Sequence, residues 1–272
     1  MIQNLHTHTT FCDGTNTPEE MVYKAIQLEM DSLGFSSHTP LPGQTDWTMT
    51  EEDVSNYRAE VLRLRERYAG RLEIFLGLEQ DYYSPPPGEG WDYLIGSVHC
   101  VEKDGRLLPV DYLSDDFRQN AAQFYGGDYD AFAEDYYSLV GEVAVKTGCQ
   151  IVGHFDLITK FNEGGRIFDT SSPRYRQAVL GALDQLAGQD VVFEINTGAM
   201  SRGYRSTPYP EPWILRAMQD RRIPICITSD CHSVDDLLFA FPQAAELARA
   251  CGYQERMILT QQGFQPVGLD IL

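Results

Sequence analysis

Six histidines carry the first chemical signal in this 272-residue sequence. Each lies at the end of an apolar run or just beyond one: His6, His8, His38, His99, His154 and His232. The H-x-H pair at the N-terminus places both imidazoles on one face of an extended segment, because side chains alternate there. Asp230 and His232 repeat this spacing, and Glu79 ends another apolar run. Imidazoles grouped with carboxylates are typical ligands of zinc, iron or manganese ions.

Alternating strand and helix patterns must position these side chains. Apolar runs predict strands at residues 2–6, 32–35, 73–78, 93–98, 150–153, 191–196 and 224–228. Periodic stretches predict helices at residues 18–30, 50–69, 129–147, 173–187, 210–220 and 234–250. Strands that are mostly followed by helices favour parallel pairing with right-handed crossovers. Because nearly every strand ends in a candidate ligand, the pattern favours an α/β fold related to the TIM barrel, with seven strands and the active groups at their carboxyl ends.

Three connections after strands are unusually long, and loops of such length are commonly functional. They cover residues 100–128, 159–172 and 197–209. These loops contain Lys160, Arg202 and Arg205, which are candidates for binding a phosphate group. No break in composition divides the chain, so we expect one domain over residues 1–272.

The formal net charge of −19 disfavours nucleic acid and anionic membranes as partners. An acidic protein that acts on an anionic substrate needs a local positive centre, which bound metal ions would supply. The N-terminus lacks the pattern of a signal peptide, and no apolar run reaches the roughly 18 residues of a membrane helix. Six cysteines without C-x-x-C spacing are consistent with reduced thiols, so we expect a cytoplasmic protein.

Taken together, the motifs resemble those of the PHP (polymerase and histidinol phosphatase) superfamily. The resemblance rests on H-x-H at 6–8, Asp13, S-H at 37–38, Glu79, G-S-V-H at 96–99, G-H-F-D at 153–156 and S-D-C-H at 229–232. These motifs occur in the family's order and extend from residue 1 to about residue 250. The length of the chain and the E-I-N-T stretch at 194–197 resemble the stand-alone histidinol-phosphate phosphatases in particular.

The resemblance implies a distorted (β/α)7 barrel that holds three divalent metal ions. It implies three ligand sets, of which the first two share one carboxylate: His6, His8, Glu79 and Asp230; Glu79, His99 and His154; and Asp13, His38 and His232. Some family members have histidine at the position of Asp13, and its surroundings are also typical of a turn. We predict catalytic roles for Glu79, Asp230 and Arg202. We predict that the substrate is bound by Arg202, Arg205 and Lys160.

The implied activity is metal-dependent hydrolysis of a small phosphorylated metabolite, with L-histidinol phosphate of histidine biosynthesis as the expected substrate. A metal ion lowers the pKa of bound water from about 15.7 to about 7 and so provides hydroxide at neutral pH. Two alternatives stay open at this point. One is a phosphoesterase of the same superfamily that acts on a phosphodiester, a nucleotide or a phosphotyrosine protein. The other is a metal-binding barrel without catalysis.

Two further features of the sequence bear on the chemistry. His99, Cys100 and Arg106 satisfy the H-C-x5-R spacing of cysteine phosphatases. However, the carboxylates of Glu102 and Asp104 would repel a phosphate there, which argues against this class. A cationic substrate would need acidic or aromatic partners, and the available side chains in or near the long connections include Asp81, Glu102, Asp115, Phe117 and Glu163.

Overall fold

The computed structural model describes residues 1–44 and 46–270. The expected domain of 1–272 therefore includes three residues, 45, 271 and 272, that lie outside the described residues. The β-strands are β1 (Gln3–Asn4), β2 (Ser32–Phe35), β3 (Glu73–Asp81), β4 (Tyr93–Ser97), β5 (Cys100–Lys103), β6 (Arg106–Pro109), β7 (Ile151–Val152), β8 (Val192–Asn196), β9 (Ile225–Thr228), β10 (Glu255–Thr260) and β11 (Gly263–Gly268). The α-helices are α1 (Pro18–Gln27), α2 (Glu51–Arg67), α3 (Ser114–Tyr125), α4 (Tyr129–Thr147), α5 (Pro173–Leu186), α6 (Gly198–Ser201), α7 (Pro212–Asp220) and α8 (Phe241–Ala250).

Seven of these strands form one sheet in the order β1-β2-β3-β4-β7-β8-β9, and every neighbouring pair is parallel. Its two outer strands meet through a parallel bridge between Thr7 and Cys231, just beyond the carboxyl ends of β1 and β9. There the Cys231 amide donates to the His6 carbonyl at 3.2 Å, and the His8 amide donates to the Cys231 carbonyl at 2.9 Å. The sheet is therefore a nearly closed barrel with helices between its strands, and the predicted seven-stranded α/β barrel is confirmed.

The ends of several helices follow from local sequence. Helix α1 begins with a capping box, in which Thr17 Oγ1 accepts from the Glu20 amide at 3.3 Å and the Glu20 carboxylate accepts from the Thr17 amide at 2.8 Å. Helix α4 ends at Gly148, whose φ of 69° is left-handed. One predicted helix was wrong in extent, because residues 234–250 contain a short 3-10 turn and then α8, separated by Ala240 at a φ of 55°. Among the described residues, none of the helices combines the length and apolar character needed to cross a bilayer.

The barrel interior is filled by a small apolar core in which Tyr93 is central. Its hydroxyl donates to the Phe35 carbonyl at 2.9 Å, across the barrel from β4 to β2. A Cβ atom at Gly77 would lie 2.4 Å from the Tyr93 ring, so glycine is required on β3 for the ring to fit. This packed interior forms a floor beneath the carboxyl ends of the strands, where the histidines lie.

Two hairpins were not predicted from the sequence. The stretch 100–128, predicted as one long connection after a strand, contains the antiparallel pair β5–β6 and helix α3. A second antiparallel pair, β10–β11, follows the last helix. It closes the amino end of the barrel, since the Gln3 side chain bonds both the amide and the carbonyl of Leu259 at 2.8 Å. Burial along these four strands does not alternate strictly, so the sequence lacks the pattern that marks a half-buried strand.

Candidate metal centre and substrate cavity

All six imidazoles converge at the carboxyl ends of the barrel strands. Neighbouring ring centroids are 4.2–5.9 Å apart within the set His6, His8, His38, His99, His154 and His232. The bridge that closes the barrel explains part of this convergence, because it sets residues 6–8 beside residues 230–232. A second bridge, between His38 and Glu79, extends the pairing of β2 with β3 in the same direction.

Glu79 lies at the centre of this cluster and is 1% exposed. Its Oε2 atom is 3.1 Å from His6 Nε2 and 2.9 Å from His38 Nδ1. Its Oε1 atom is 2.9 Å from His154 Nε2 and 3.3 Å from His99 Nε2. Each oxygen of one buried carboxylate thus faces a different group of imidazoles, as a ligand shared between two cations would.

Four buried atoms of the cluster have no hydrogen-bond partner among the described residues: His6 Nε2, His8 Nε2, Glu79 Oε2 and His154 Nδ1. The side chains of His6, His8 and Glu79 offer ligand atoms that lie within 4.8 Å of one another. A buried polar atom without a partner is costly, whereas nitrogen and carboxylate lone pairs that converge on one point are the usual ligands of zinc. The arrangement therefore fits a divalent cation at this point.

A second group of ligand atoms surrounds Asp13, on the loop that follows the H-x-H pair. Its Oδ2 atom is 3.1 Å from His232 Nε2, and its Oδ1 atom is 3.6 Å from His8 Nδ1 and 3.8 Å from His38 Nε2. Burial opposes ionisation of Asp13, but His38 and His232 outweigh it and lower the pKa of the carboxyl. The Asp13 loop needs Gly14, because a Cβ there would lie 2.5 Å from a backbone nitrogen.

Asp230 joins the first group and connects it to Arg202. Its Oδ1 atom is 3.2 Å from His8 Nε2 and 3.7 Å from His6 Nε2. Arg202 donates from Nη2 to Asp230 Oδ2 at 3.1 Å and from Nη1 to the Asp230 carbonyl at 2.9 Å, and Nη1 is 2.8 Å from His232 Nδ1. Burial opposes ionisation of Asp230, but Arg202 and His6 hold the pKa of the carboxyl well below its usual value.

Two carboxylates that were not predicted to contact the metal ligands orient the imidazoles from behind. Glu194 Oε2 is 2.9 Å from His6 Nδ1, and Asp81 Oδ2 is 3.0 Å from His99 Nδ1. Burial would lower the pKa of His6, but Glu194 and Glu79 outweigh it and raise that pKa well above its usual value. Histidines that bind metal commonly donate their other N–H to such a carboxylate. Strand alternation was the available signal, since Asp81 lies two residues after Glu79 on β3.

A cavity of about 460 Å³ opens over the cluster. Arg202 and Lys160 both line it, and Lys160 Nζ donates to the Asp111 carbonyl at 2.7 Å and lies 3.2 Å from Asp111 Oδ2. Arg205 is absent from the cavity wall that the described residues form. Its side chain is 4% exposed and lies 3.9 Å from the buried carboxyl group of Asp156. Burial raises the pKa of Asp156 to about 6, and the positive charge of Arg205 opposes this rise. The structure therefore brings two of the three predicted phosphate-binding cations to the cavity and places the third behind it.

Other side chains suggested by the sequence are not placed for the roles suggested. Cys100 lines the cavity but is 1% exposed, and burial raises the pKa of its thiol, which is the opposite of what a nucleophilic cysteine requires. Phe117 is buried in the apolar core, and Glu163 accepts from the Ser206 amide. Of the acidic and aromatic residues suggested for a cationic substrate, none belongs to the described cavity wall.

Similarity to known proteins extends over most of this arrangement. The family model of the PHP domain matches residues 4–198, which is more than half of the chain. The chain belongs to the PHP domain family. Among curated relatives, the "Probable histidinol-phosphatase" of Deinococcus radiodurans is 33% identical over 262 residues, which are 91% of this chain and 92% of that protein. The "Histidinol-phosphatase" of Bacillus subtilis is 28% identical over 87% of this chain and 95% of its own length.

A solved structure supports the PHP barrel as the fold. The crystal structure of histidinol phosphate phosphatase from Lactococcus lactis, complexed with zinc, L-histidinol and phosphate, matches with a TM-score of 0.72 at 17% identity. The match covers 97% of this PHP chain and 98% of that chain.

Proposed function

We propose that this protein is a metal-dependent phosphomonoesterase that hydrolyses L-histidinol phosphate to L-histidinol and phosphate. The observation that carries the proposal is the convergence of six imidazoles on buried carboxylates beneath one cavity. The substrate is supported by the curated relatives, which bear the name histidinol-phosphatase, and by the Lactococcus lactis complex with L-histidinol and phosphate. We further propose that a single domain carries this activity and that the enzyme acts in histidine biosynthesis in the cytoplasm.

The proposed cofactors are three divalent ions, each zinc, iron or manganese. The proposed ligand sets are His6, His8, Glu79 and Asp230; Glu79, His99 and His154; and Asp13, His38 and His232. Support for the first set comes from the unpartnered nitrogens of His6 and His8, which face Glu79 Oε2. Ions bound at such sites supply hydroxide at neutral pH and neutralise charge on the phosphate.

The side chains around the ligands fix which atoms face inward. Glu194 and Asp81 each accept a hydrogen bond from an imidazole Nδ1–H, so that the Nε2 lone pairs of His6 and His99 point towards Glu79. This arrangement directs Nε2 of both rings inward, so that a cation would displace the Nε2 protons without requiring the rings to reorient. Glu79 would be a ligand of both the first and the second cation.

Arg202 is the proposed phosphate-binding residue. A guanidinium has five N–H donors, and three of those of Arg202 face Asp230 and His232. The remaining donors are available to phosphate oxygens in the cavity that Arg202 lines. Lys160, which is held by Asp111, is proposed to add positive charge to the same cavity. Arg205 supports this site indirectly, through Asp156.

The test of the substrate is phosphate release from a panel of esters. The panel contains L-histidinol phosphate, p-nitrophenyl phosphate, a nucleoside monophosphate, a phosphotyrosine peptide and bis(p-nitrophenyl) phosphate. We expect the highest kcat/KM for L-histidinol phosphate, with the Glu79→Gln variant as the control for contaminating phosphatases. A nucleotide, a phosphopeptide or a diester that is hydrolysed with higher kcat/KM would contradict the proposal.

A further inference from the structure

The carboxylates that line the cavity differ in what they contact. The set is Asp13, Asp46, Glu79, Asp111 and Asp230. Three of them contact imidazoles of the proposed metal centre. Asp111 is paired with Lys160. Burial raises the pKa of the Asp111 carboxyl, but the positive charge of Lys160 outweighs it, so the pKa is lowered. Asp46 is exposed at the cavity wall and forms no ion pair with a basic side chain among the described residues, so no cationic group of the protein compensates its charge.

The surrounding residues hold Asp46 beside the metal centre. The Tyr112 hydroxyl donates to Asp46 Oδ2 at 3.3 Å, and both residues line the cavity. The next residue, Trp47, packs its ring 4.7 Å from the His38 ring and 5.2 Å from the His99 ring. Asp46 therefore precedes a residue whose side chain packs against two proposed ligand histidines. The carboxylate of Asp46 itself lines the open cavity.

The charges in the cavity then match a substrate with two opposite charges. Arg202, Lys160 and the proposed cations supply the positive region that binds a phosphate. In histidinol phosphate, a protonated amino group is attached to the carbon next to the phosphate-bearing CH2 group. Asp46 is exposed and lies at the wall of the same cavity, where its carboxylate attracts a cationic group that enters beside the positive region.

We propose that Asp46, positioned by the Tyr112 hydroxyl, binds the protonated amino group of the substrate and so selects amino-alcohol phosphates over uncharged phosphate esters. This inference rests on the proposed function, because it assigns a residue to one part of the proposed substrate. Tyr112 is a positioning residue in this arrangement, since it acts through Asp46.

The test compares three esters in steady-state kinetics. L-histidinol phosphate and O-phosphoethanolamine carry an amino group, whereas p-nitrophenyl phosphate does not. Asp46→Asn is expected to lower kcat/KM about tenfold for both amino esters, mainly through KM, and to leave kcat/KM for p-nitrophenyl phosphate within twofold of wild type. Tyr112→Phe is expected to give a smaller loss in the same direction, again only for the amino esters.

Asp116→Asn is the matched control. The Asp116 charge also raises the pKa of Tyr112, after Asp46, but Asp116 is not part of the described cavity wall, so all three esters are expected to react as with wild type. An equal loss with all three esters, or no loss in Asp46→Asn, would overturn the inference. A loss with L-histidinol phosphate alone would assign Asp46 to the imidazole and overturn the amino-group assignment. Wild-type protein that hydrolyses p-nitrophenyl phosphate but not L-histidinol phosphate would instead overturn the proposed function.

Discussion

Replacing Glu79 by glutamine keeps the shape of the side chain but removes the negative charge around which the imidazoles are arranged. The carboxylate contacts five of the six histidines, at distances of 2.9–3.4 Å. It also accepts a hydrogen bond from Ser97 Oγ at 2.7 Å. A glutamine amide group has only one acceptor oxygen, so its NH2 group must face imidazole nitrogens or the serine hydroxyl.

The size of the effect follows from the position of Glu79. Loss of an outer carboxylate that only orients a metal ligand typically costs about 10–100-fold in metal affinity or activity. Glu79 is itself a proposed ligand, and it is shared by two ions. We therefore expect Glu79→Gln to lower kcat/KM for L-histidinol phosphate by at least about 10³-fold, or about 4 kcal/mol of transition-state stabilisation. Two of the three proposed ions should be lost with it.

The assay is elemental analysis of gel-filtered protein together with steady-state kinetics on the same sample. Glu73→Gln is the matched control, because Glu73 lies at the other end of β3 and contacts the Gln261 side chain. We expect this control to keep the wild-type metal content and activity. Glu79→Gln protein that keeps its full complement of metal would refute the shared-ligand role, whatever its activity.

Three further perturbations test other parts of the site. Glu194→Gln should lower metal affinity about 10–100-fold, measured by chelator competition, because the partner of His6 Nδ1 loses its negative charge; unchanged affinity would argue against that role. Burial lowers the pKa of His6 and His99, but nearby carboxylates outweigh it and raise both, so below these pKa values a metal ion must displace a proton from each ring. The apparent metal affinity should therefore decrease as the pH is lowered from about 8 to about 6; an affinity that does not change with pH would contradict this. Gly14→Ala should lower the free energy of unfolding by about 1–3 kcal/mol in chemical denaturation, because the added Cβ would lie 2.5 Å from the Thr9 amide; an unchanged midpoint would show that the loop can shift.

Much of the fold could be predicted because parallel barrel strands are buried on both faces and give continuous apolar runs. The seven predicted strands correspond to those of the barrel, although β1 and β7 are only two residues long. The β5–β6 and β10–β11 hairpins were missed because their pairing is antiparallel and partly exposed, so neither apolar runs nor strict alternation mark them.

The site was predictable to the extent that its residues lie at strand ends. The convergence of the histidines follows from strand order alone, as the bridge between Thr7 and Cys231 illustrates. The roles of Glu194 and Arg205 could not be predicted in this way. Glu194 lies within β8 and acts through a buried contact with His6, and Arg205 turns away from the cavity towards Asp156. Such contacts depend on which way a side chain points in three dimensions, which its position in the sequence does not specify.

The central claim is that cations held by the histidine–carboxylate cluster perform the hydrolysis. Its most direct test is to remove the metal from the purified protein, return zinc or manganese in steps, and measure bound metal and L-histidinol phosphate turnover in each sample. We predict no turnover without metal, and turnover that rises with occupancy until about three ions are bound per chain, because three or four protein ligands are proposed for each site and zinc sites in proteins have this number. Full turnover by protein that contains no metal would contradict the account.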